Sequence, residues 1–359
     1  MKAYLAARRG EILESLGLLF DRHREHLGSV NLWGPDAVQR LQEYMTGGKM
    51  IRGSLVFLGE ELFREPLPAE TARVAAAMEL LQAFLLIHDD IMDRDDLRRG
   101  KPSMHAQYRD LVNRERSRLH LRDGEEGHLG EALAICAGDI SAFLAFELVS
   151  QVHLPDQIRV HMLRLLSQEI VKVGVAQMQD VYNGYVAGNV PREEIISVYT
   201  YKTGRYTFSL PLMLGALMAE REEAALLGEL ADIGERMGRA FQIKDDELGL
   251  FGSAEEIGKP VGSDVGEDKK TIVRALLFER ATNDERRELE TLFGNPDVGQ
   301  EEIERVREIA RSHAIPELIQ EQVDQENEGI RTAVAKLPVR EEGRRLFAEL
   351  FEYNRARVS

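Results

Sequence analysis

The chain has 359 residues, 43% of them hydrophobic, and a formal net charge of −16 with a pI near 5.2. That acidic balance argues against nucleic acid as a partner, and it means that an anionic substrate has to be held by local cations or metal. The single cysteine, Cys136, excludes an internal disulfide and, in an apolar segment, reads as a small buried side chain rather than a nucleophile.

Strand signals are scarce, and turn residues punctuate long stretches of helical spacing, so the chain reads as one large all-α domain. Residues 1–27 form an amphipathic helix with Leu5, Ile12, Leu16, Leu19 and Phe20 on its apolar side. A loop over 28–35 leads to a short helix at 36–45. Gly47 and Gly48 then break the chain, and an apolar helix runs over 55–63. Residues 69–87 are Ala/Leu-rich and read as a central buried helix. The charged stretch 110–130, with Gly124, Gly127 and Gly130, is expected to be an exposed insertion or lid. Helices follow over 132–152, 155–185, 192–208 (interrupted near Thr203 and Gly204), 210–220 and 222–250. From about residue 275 the chain is charged and amphipathic without a chemical motif. No segment approaches eighteen consecutive apolar residues and the first residues lack a signal-peptide apolar region, so a cytoplasmic protein without a membrane span is expected.

The chemistry concentrates behind the central helix. Asp89, Asp90, Asp93, Asp95 and Asp96 fall within eight residues and are followed by Arg98, Arg99 and Lys101. On a helix Asp89 and Asp93 stack on one face, where unscreened carboxylates repel. Magnesium relieves such repulsion, taking one or two carboxylates together with substrate phosphates. A second acidic pair, Asp245 and Asp246, lies near the end of a long helix with Gln242 one turn before it. Beyond it a Gly-containing loop carries Lys259, Lys269 and Lys270. Two aspartate pairs, each trailed by cations, suggest acidic walls that clamp a diphosphate through metal. Lys49 and Arg52, placed i and i+3 at a helix start after two glycines, suit a second, metal-free diphosphate.

GGKMIR, HDDIMDRDDLRRGKPSMH, YKTG, FQIKDDELGLFG and GKPVGSDVGEDKKT, in this order, closely resemble the short-chain trans-prenyltransferases, or polyprenyl synthetases, over about residues 40–275. The resemblance implies an isoprenoid-synthase fold, all-α around a central cavity with two Asp-rich walls and usually a homodimer. It implies head-to-tail condensation of isopentenyl diphosphate with an allylic diphosphate (dimethylallyl, geranyl or farnesyl). By the same resemblance Asp89, Asp93 and Asp245 would hold Mg²⁺, about three ions per site, with Asp90 in support. Arg98, Lys202, Lys259 and Lys269 would bind the allylic diphosphate. Lys49, Arg52, Gln82 and Arg99 would bind isopentenyl diphosphate. The oxygens of Thr203 and Gln242, with the Lys202 carbonyl, would face the allylic cation.

One departure from the family pattern stands out: Gly249 occupies the place of the usual third aspartate of the second motif, and Glu247, about 200° round the helix from Asp245, cannot replace it. Product length points to Phe84, about 7.5 Å before Asp89 along the helix axis, with Leu81 about 12 Å away. The resemblance is to synthases in which an aromatic at this position gives a C20 product, so Phe84 as cavity floor implies geranylgeranyl diphosphate, with C15 and C25 as alternatives. A terpene cyclase has no use for the GGKMIR and RRG elements, and a non-catalytic regulatory subunit has no use for an intact first Asp motif. A calcium scaffold would show a D-x-[DN]-x-[DN]-G loop, and none is present.

Overall fold

The computed structural model describes residues 1–119, 124–252 and 262–355. In chain order these residues form α1 (Lys2–Gly28), α2 (Trp33–Met45), α3 (Ile51–Glu61), α4 (Glu70–Met92), a hairpin of β1 (Leu97–Arg98) and β2 (Lys101–Pro102), α5 (Met104–Leu119), α6 (Glu126–Ser150), α7 (Asp156–Tyr185) and α8 (Arg192–Val198). A π-helix, Tyr199–Ser209, leads into α9 (Leu210–Met218) and α10 (Ala224–Phe251), and the chain ends in five helices between Ile272 and Arg355. The expectation of an all-α chain holds: the two-residue hairpin is the only sheet among the described residues. The chain forms two compact units, Met1–Arg164 with Leu214–Arg221, and Leu165–Met213 with Glu222–Ser359.

The first unit is organised around α4. Ala75, Ala76, Ala77, Met78, Leu80 and Leu81 are wholly inaccessible, because α4 is apolar on every side and packs against α1, α3 and α6. Its alanines keep the neighbours close. In the middle of α6, Ser141 Oγ donates a 2.8 Å hydrogen bond to the Leu80 carbonyl, which satisfies a buried hydroxyl.

Several boundaries differ from the sequence expectation. The helix expected from residue 55 begins at Ile51, and α4 runs beyond residue 87 to Met92. Most of the expected insertion is helix, with 110–119 continuing α5 and 126–130 opening α6, while 120–123 lie outside the described residues. Val112 and Gly130 are buried there. Charged residues with good helix propensity line the outer face of α5, so high charge does not mark a loop.

Cys136 is exposed, contrary to expectation. The segment is apolar all round, so apolar neighbours in sequence do not tell which side faces inward; Ile135 and Phe143 are exposed as well. By length and composition α6 is also apolar enough to cross a membrane, because its glycines, alanines and few charges meet a hydropathy criterion that a run of strictly apolar residues does not. Its Ala137–Ser141 turn is packed on α4, which accounts for part of that composition by helix packing.

In the second unit the motif-free C-terminal helices build a core. Ile272, Leu276, Leu277, Ile309, Ile315 and Ile319 join Ile243 and Leu250 of α10 in one cluster. Arg307 clamps the end of α10 by donating to the Leu250 carbonyl at 2.7 Å. These helices therefore support the turn that carries the second acidic pair. Replacing Ser141 by Val would force a methyl against the Leu80 carbonyl and remove its hydrogen bond; thermal unfolding should show a loss of about 2 kcal/mol.

Candidate active site

The end of α4 sorts its carboxylates by partner. Asp93 caps the helix with its N–H on the Asp89 carbonyl at 2.8 Å, and Arg94 takes φ +58°. Arg94 N–H then reaches the Ile91 carbonyl and Asp95 N–H the Asp90 carbonyl, a Schellman closure with Arg where glycine is usual. Asp89 and Asp93 thus keep helical spacing on one face. Asp90 points inward, wholly buried, and accepts from Arg98 Nε at 2.6 Å and from Tyr44 Oη at 3.4 Å. Burial holds its carboxyl above the usual range, against the pull of Arg98. Asp96 takes both Arg109 nitrogens at 2.9 Å, which holds its carboxyl below the usual range.

The arginines are presented by the hairpin. Arg99 and Gly100 occupy its two-residue turn with φ +54° and +72°, the signs that a type I′ turn requires. A non-glycine residue held at positive φ is strained, and such strain gathers at functional sites. The Arg99 guanidinium lies over Gly47 and Gly48, with Nη1 3.3 Å from the place a Gly48 Cβ would take. Arg9 of α1 supports this loop, donating to the Gly48 carbonyl at 3.1 Å and the Thr46 carbonyl at 2.6 Å. Lys49 precedes α3 instead of lying on it: Met50 caps the helix with φ +50° and Arg52 sits in the first turn. The first unit therefore holds Lys49, Arg52, Gln82, Asp89, Asp93, Arg98 and Arg99, with Phe84 half-buried and Leu81 fully enclosed.

The second unit holds Lys202, Thr203, Gln242, Asp245 and Lys269; Lys259 lies outside the described residues. The YKTG stretch falls within the π-helix, a distortion that favours functional sites. Gly204 and Gly238 let it approach α10 so closely that a Cβ on Gly238 would stand 2.0 Å from Gly204 Cα. Thr203 Oγ1 consequently reaches Gln242 Oε1 at 3.2 Å. Gln242 Nε2 donates to Asp246 at 3.2 Å, Tyr199 Oη also donates to Asp246, and the Ile272 N–H donates to Tyr199 at 2.9 Å. Burial pushes the Asp246 carboxyl up to about 7, against Lys269 and these hydrogen bonds. Asp246 is structural, and its neighbour Asp245 is exposed.

Two carboxylates here escaped the sequence reading. Asp180 of α7 pairs with Lys202 at 2.7 Å; nothing in the sequence around it marks it out. Asp264 is the other. Its Oδ2 lies 2.6 Å from where a Cβ on Gly249 would stand. A carboxylate from the short helix Ser263–Gly266 thus stands beside the place of the usual third aspartate, with Lys269 3.8 Å away. Glu247 is drawn instead to Lys244 at 2.6 Å.

Among the described residues no three His, Cys, Asp or Glu side chains converge on a ready-made metal site. The donors present are hard oxygens, in ones and twos beside cations. Such a set suits a divalent ion that completes its shell with water and phosphate, as magnesium does.

The family model described as Polyprenyl synthetase matches residues 35–310. The chain is 36% identical over 269 residues to the short chain isoprenyl diphosphate synthase of Methanocaldococcus jannaschii, covering 74% of this chain and 73% of the relative. It is 32% identical over 279 residues to the geranylgeranyl diphosphate synthase of Saccharolobus solfataricus, covering 76% and 75%. The crystal structure of geranylgeranyl pyrophosphate synthase from Corynebacterium glutamicum, complexed with isoprenyl diphosphate and magnesium, superimposes with a TM-score of 0.87 at 26% identity, covering 98% of each chain.

Restoring the third aspartate should do harm. Gly249→Asp would set a like charge against Asp264, whose carboxylate must swing aside to admit even the Cβ. The variant should lower the unfolding temperature and raise the divalent-ion concentration needed for half-maximal turnover, both read on the purified protein.

Proposed function

Because the chain belongs to the polyprenyl synthetase family and is a prenyltransferase that makes short-chain prenyl diphosphates, we propose that it extends allylic diphosphates with isopentenyl diphosphate to the C20 product, geranylgeranyl diphosphate. The observation that carries this reading is the sorting of charge at the end of α4. Arg98 neutralises buried Asp90, while Asp89 and Asp93 keep a pair of carboxylates on one helix face.

The family uses a divalent metal, and in this reading it is Mg²⁺, about three ions held by Asp89, Asp93 and Asp245. Bound there, the metal neutralises the charge that develops on the departing allylic diphosphate. Arg98, Lys202, Lys259 and Lys269 bind that same diphosphate. Arg98 and Lys202 are already steadied by Asp90 and Asp180, so they need not reorganise when substrate arrives. Lys49, Arg52, Gln82 and Arg99 bind isopentenyl diphosphate. As the allylic C–O bond breaks, the oxygens of Thr203 and Gln242 and the Lys202 carbonyl offer dipoles to the cation without attacking it. The double bond of isopentenyl diphosphate supplies the electrons of the new C–C bond, and the released diphosphate takes the proton that is lost. This sequence uses no Ser, Cys or His nucleophile.

Phe84 is the chain-length floor in this reading. Its ring meets the His88 ring edge-on at 4.8 Å and stays half-buried, whereas Leu81 is sealed into the core. We read the whole chain as one catalytic domain, a reading supported by its 98% coverage of the C. glutamicum structure. We also read it as a cytoplasmic homodimer. The dimer is supported by exposed Phe143 on α6 and by Val171, Val175, Met178 and Tyr182 along α7, an apolar stripe at alternating spacings of four and three.

Purified protein given Mg²⁺, isopentenyl diphosphate and the C5, C10 or C15 allylic primer in turn should yield a C20 end point with each, sized by mass after dephosphorylation. A C15 or C25 end point would overturn the assigned length, and no elongation by folded protein would favour a regulatory subunit. Phe84→Ala should lengthen the product, and chelation of the metal with EDTA should abolish turnover reversibly.

A further inference from the structure

Glu79 lies on α4, ten residues before Asp89, and none of the chemistry above uses it. It is buried at 8% exposure, where a carboxylate is costly unless it is paired and hydrogen-bonded. Its partners are specific. The Gly53 N–H donates to Glu79 Oε1 at 2.8 Å, and the Arg52 backbone also bonds to this carboxylate. These are the third and second residues of α3, whose first N–H groups have no partner within the helix. Met50, at the cap position, provides no side-chain hydrogen bond. Glu79 therefore caps α3 from a different helix.

The same carboxylate interacts electrostatically with Arg52 and Arg99. The approach of α3 to α4 depends on Gly53, where a Cβ would stand 2.6 Å from Ile12 Cδ1 and 2.9 Å from the Ala75 carbonyl. One buried group thus anchors the backbone that carries Arg52 and exerts an electrostatic attraction on two arginines of separate segments, Arg52 at the start of α3 and Arg99 in the turn of the hairpin. Burial holds the carboxyl above the usual range, opposed by the Gly53 hydrogen bond and by these arginines.

We propose that Glu79 is a positioning residue for the isopentenyl diphosphate subsite: it caps α3 from α4 and holds Arg52 and Arg99 in register for one diphosphate. The proposal rests on the reading that these two arginines bind isopentenyl diphosphate. It makes a prediction of sign that simple electrostatics does not share. If Glu79 only offset the positive charge of the arginines, removing its charge would tighten the anion.

Glu79→Gln keeps an acceptor oxygen for Gly53 and removes the charge. It should raise the KM for isopentenyl diphosphate about tenfold, the worth of a charged hydrogen bond. Its kcat and its KM for the allylic primer should stay within about twofold. Calorimetric titration of isopentenyl diphosphate without primer should show the same loss. Glu79→Asp, which keeps the charge one methylene short, gives a second test if the glutamine variant does not fold, and should be selective for isopentenyl diphosphate in the same way. Unchanged or tighter isopentenyl diphosphate binding overturns the proposal, and so does an equal loss in both substrates and kcat with a lowered unfolding temperature. Arg52→Gln and Arg99→Gln test the underlying reading: if neither weakens isopentenyl diphosphate, that reading fails, whatever Glu79 does.

Discussion

Five carboxylates within eight residues repel one another, and the end of α4 is stable only because their charges are divided among partners of different kinds. Arg98 takes Asp90 into the interior, and Arg109 with His105 takes Asp96. The pairing with Asp90 orders the strand that presents Arg98, and so the turn that presents Arg99. Asp89 and Asp93 keep their helical spacing because the Schellman closure ends the helix just beyond them. The rest of the first unit serves this arrangement. Its alanine-rich α4 is held on three sides and cannot shift to relieve the repulsion.

Departures from ideal backbone occur beside several of the residues proposed for the site, and also at Glu220 and Ala314 away from them. Met50, Arg94 and Arg99 all have positive φ without being glycine, and the YKTG stretch is wound as a π-helix. Each costs conformational energy that the surrounding packing has to over-determine. In return, the backbone positions of Arg52, Arg99 and Thr203 are fixed by the fold, as the proposed reaction, driven by charge stabilisation instead of by a covalent nucleophile, would require.

A second theme is that carboxylates act away from their own motifs. Asp264 stands beside the place where the second motif lacks its last aspartate, Asp180 steadies Lys202, and Glu79 caps a helix to which it does not belong. Asp180 and Glu79 are acidic residues of long helices with no local pattern to single them out, and Asp264, although it lies within GKPVGSDVGEDKKT, stands on a four-residue helix whose approach to Gly249 no spacing reveals. Sequence spacing reports what lies on one face of one element, and these contacts join residues 22 to 26 positions apart or, for Asp264 and Gly249, residues of two different helices.

The all-α class, the buried central helix, the acidic ends of α4 and α10 and the family itself were legible in the sequence, because each rests on local periodicity or on residues adjacent in the chain. The break at YKTG was legible as well, though not that it is a π-helix. Tertiary structure alone decided that residues 110–119 and 126–130 are helical, that Cys136 faces outward, that Lys49 precedes its helix and that Arg99 sits in a tight turn. It also decided which aspartates are buried with arginine and which stay on the surface. The physical reason is the same throughout: composition sets how much charge and apolar surface a segment carries, but which side of it turns inward, and which opposite charge it meets there, depends on neighbours far away in the chain.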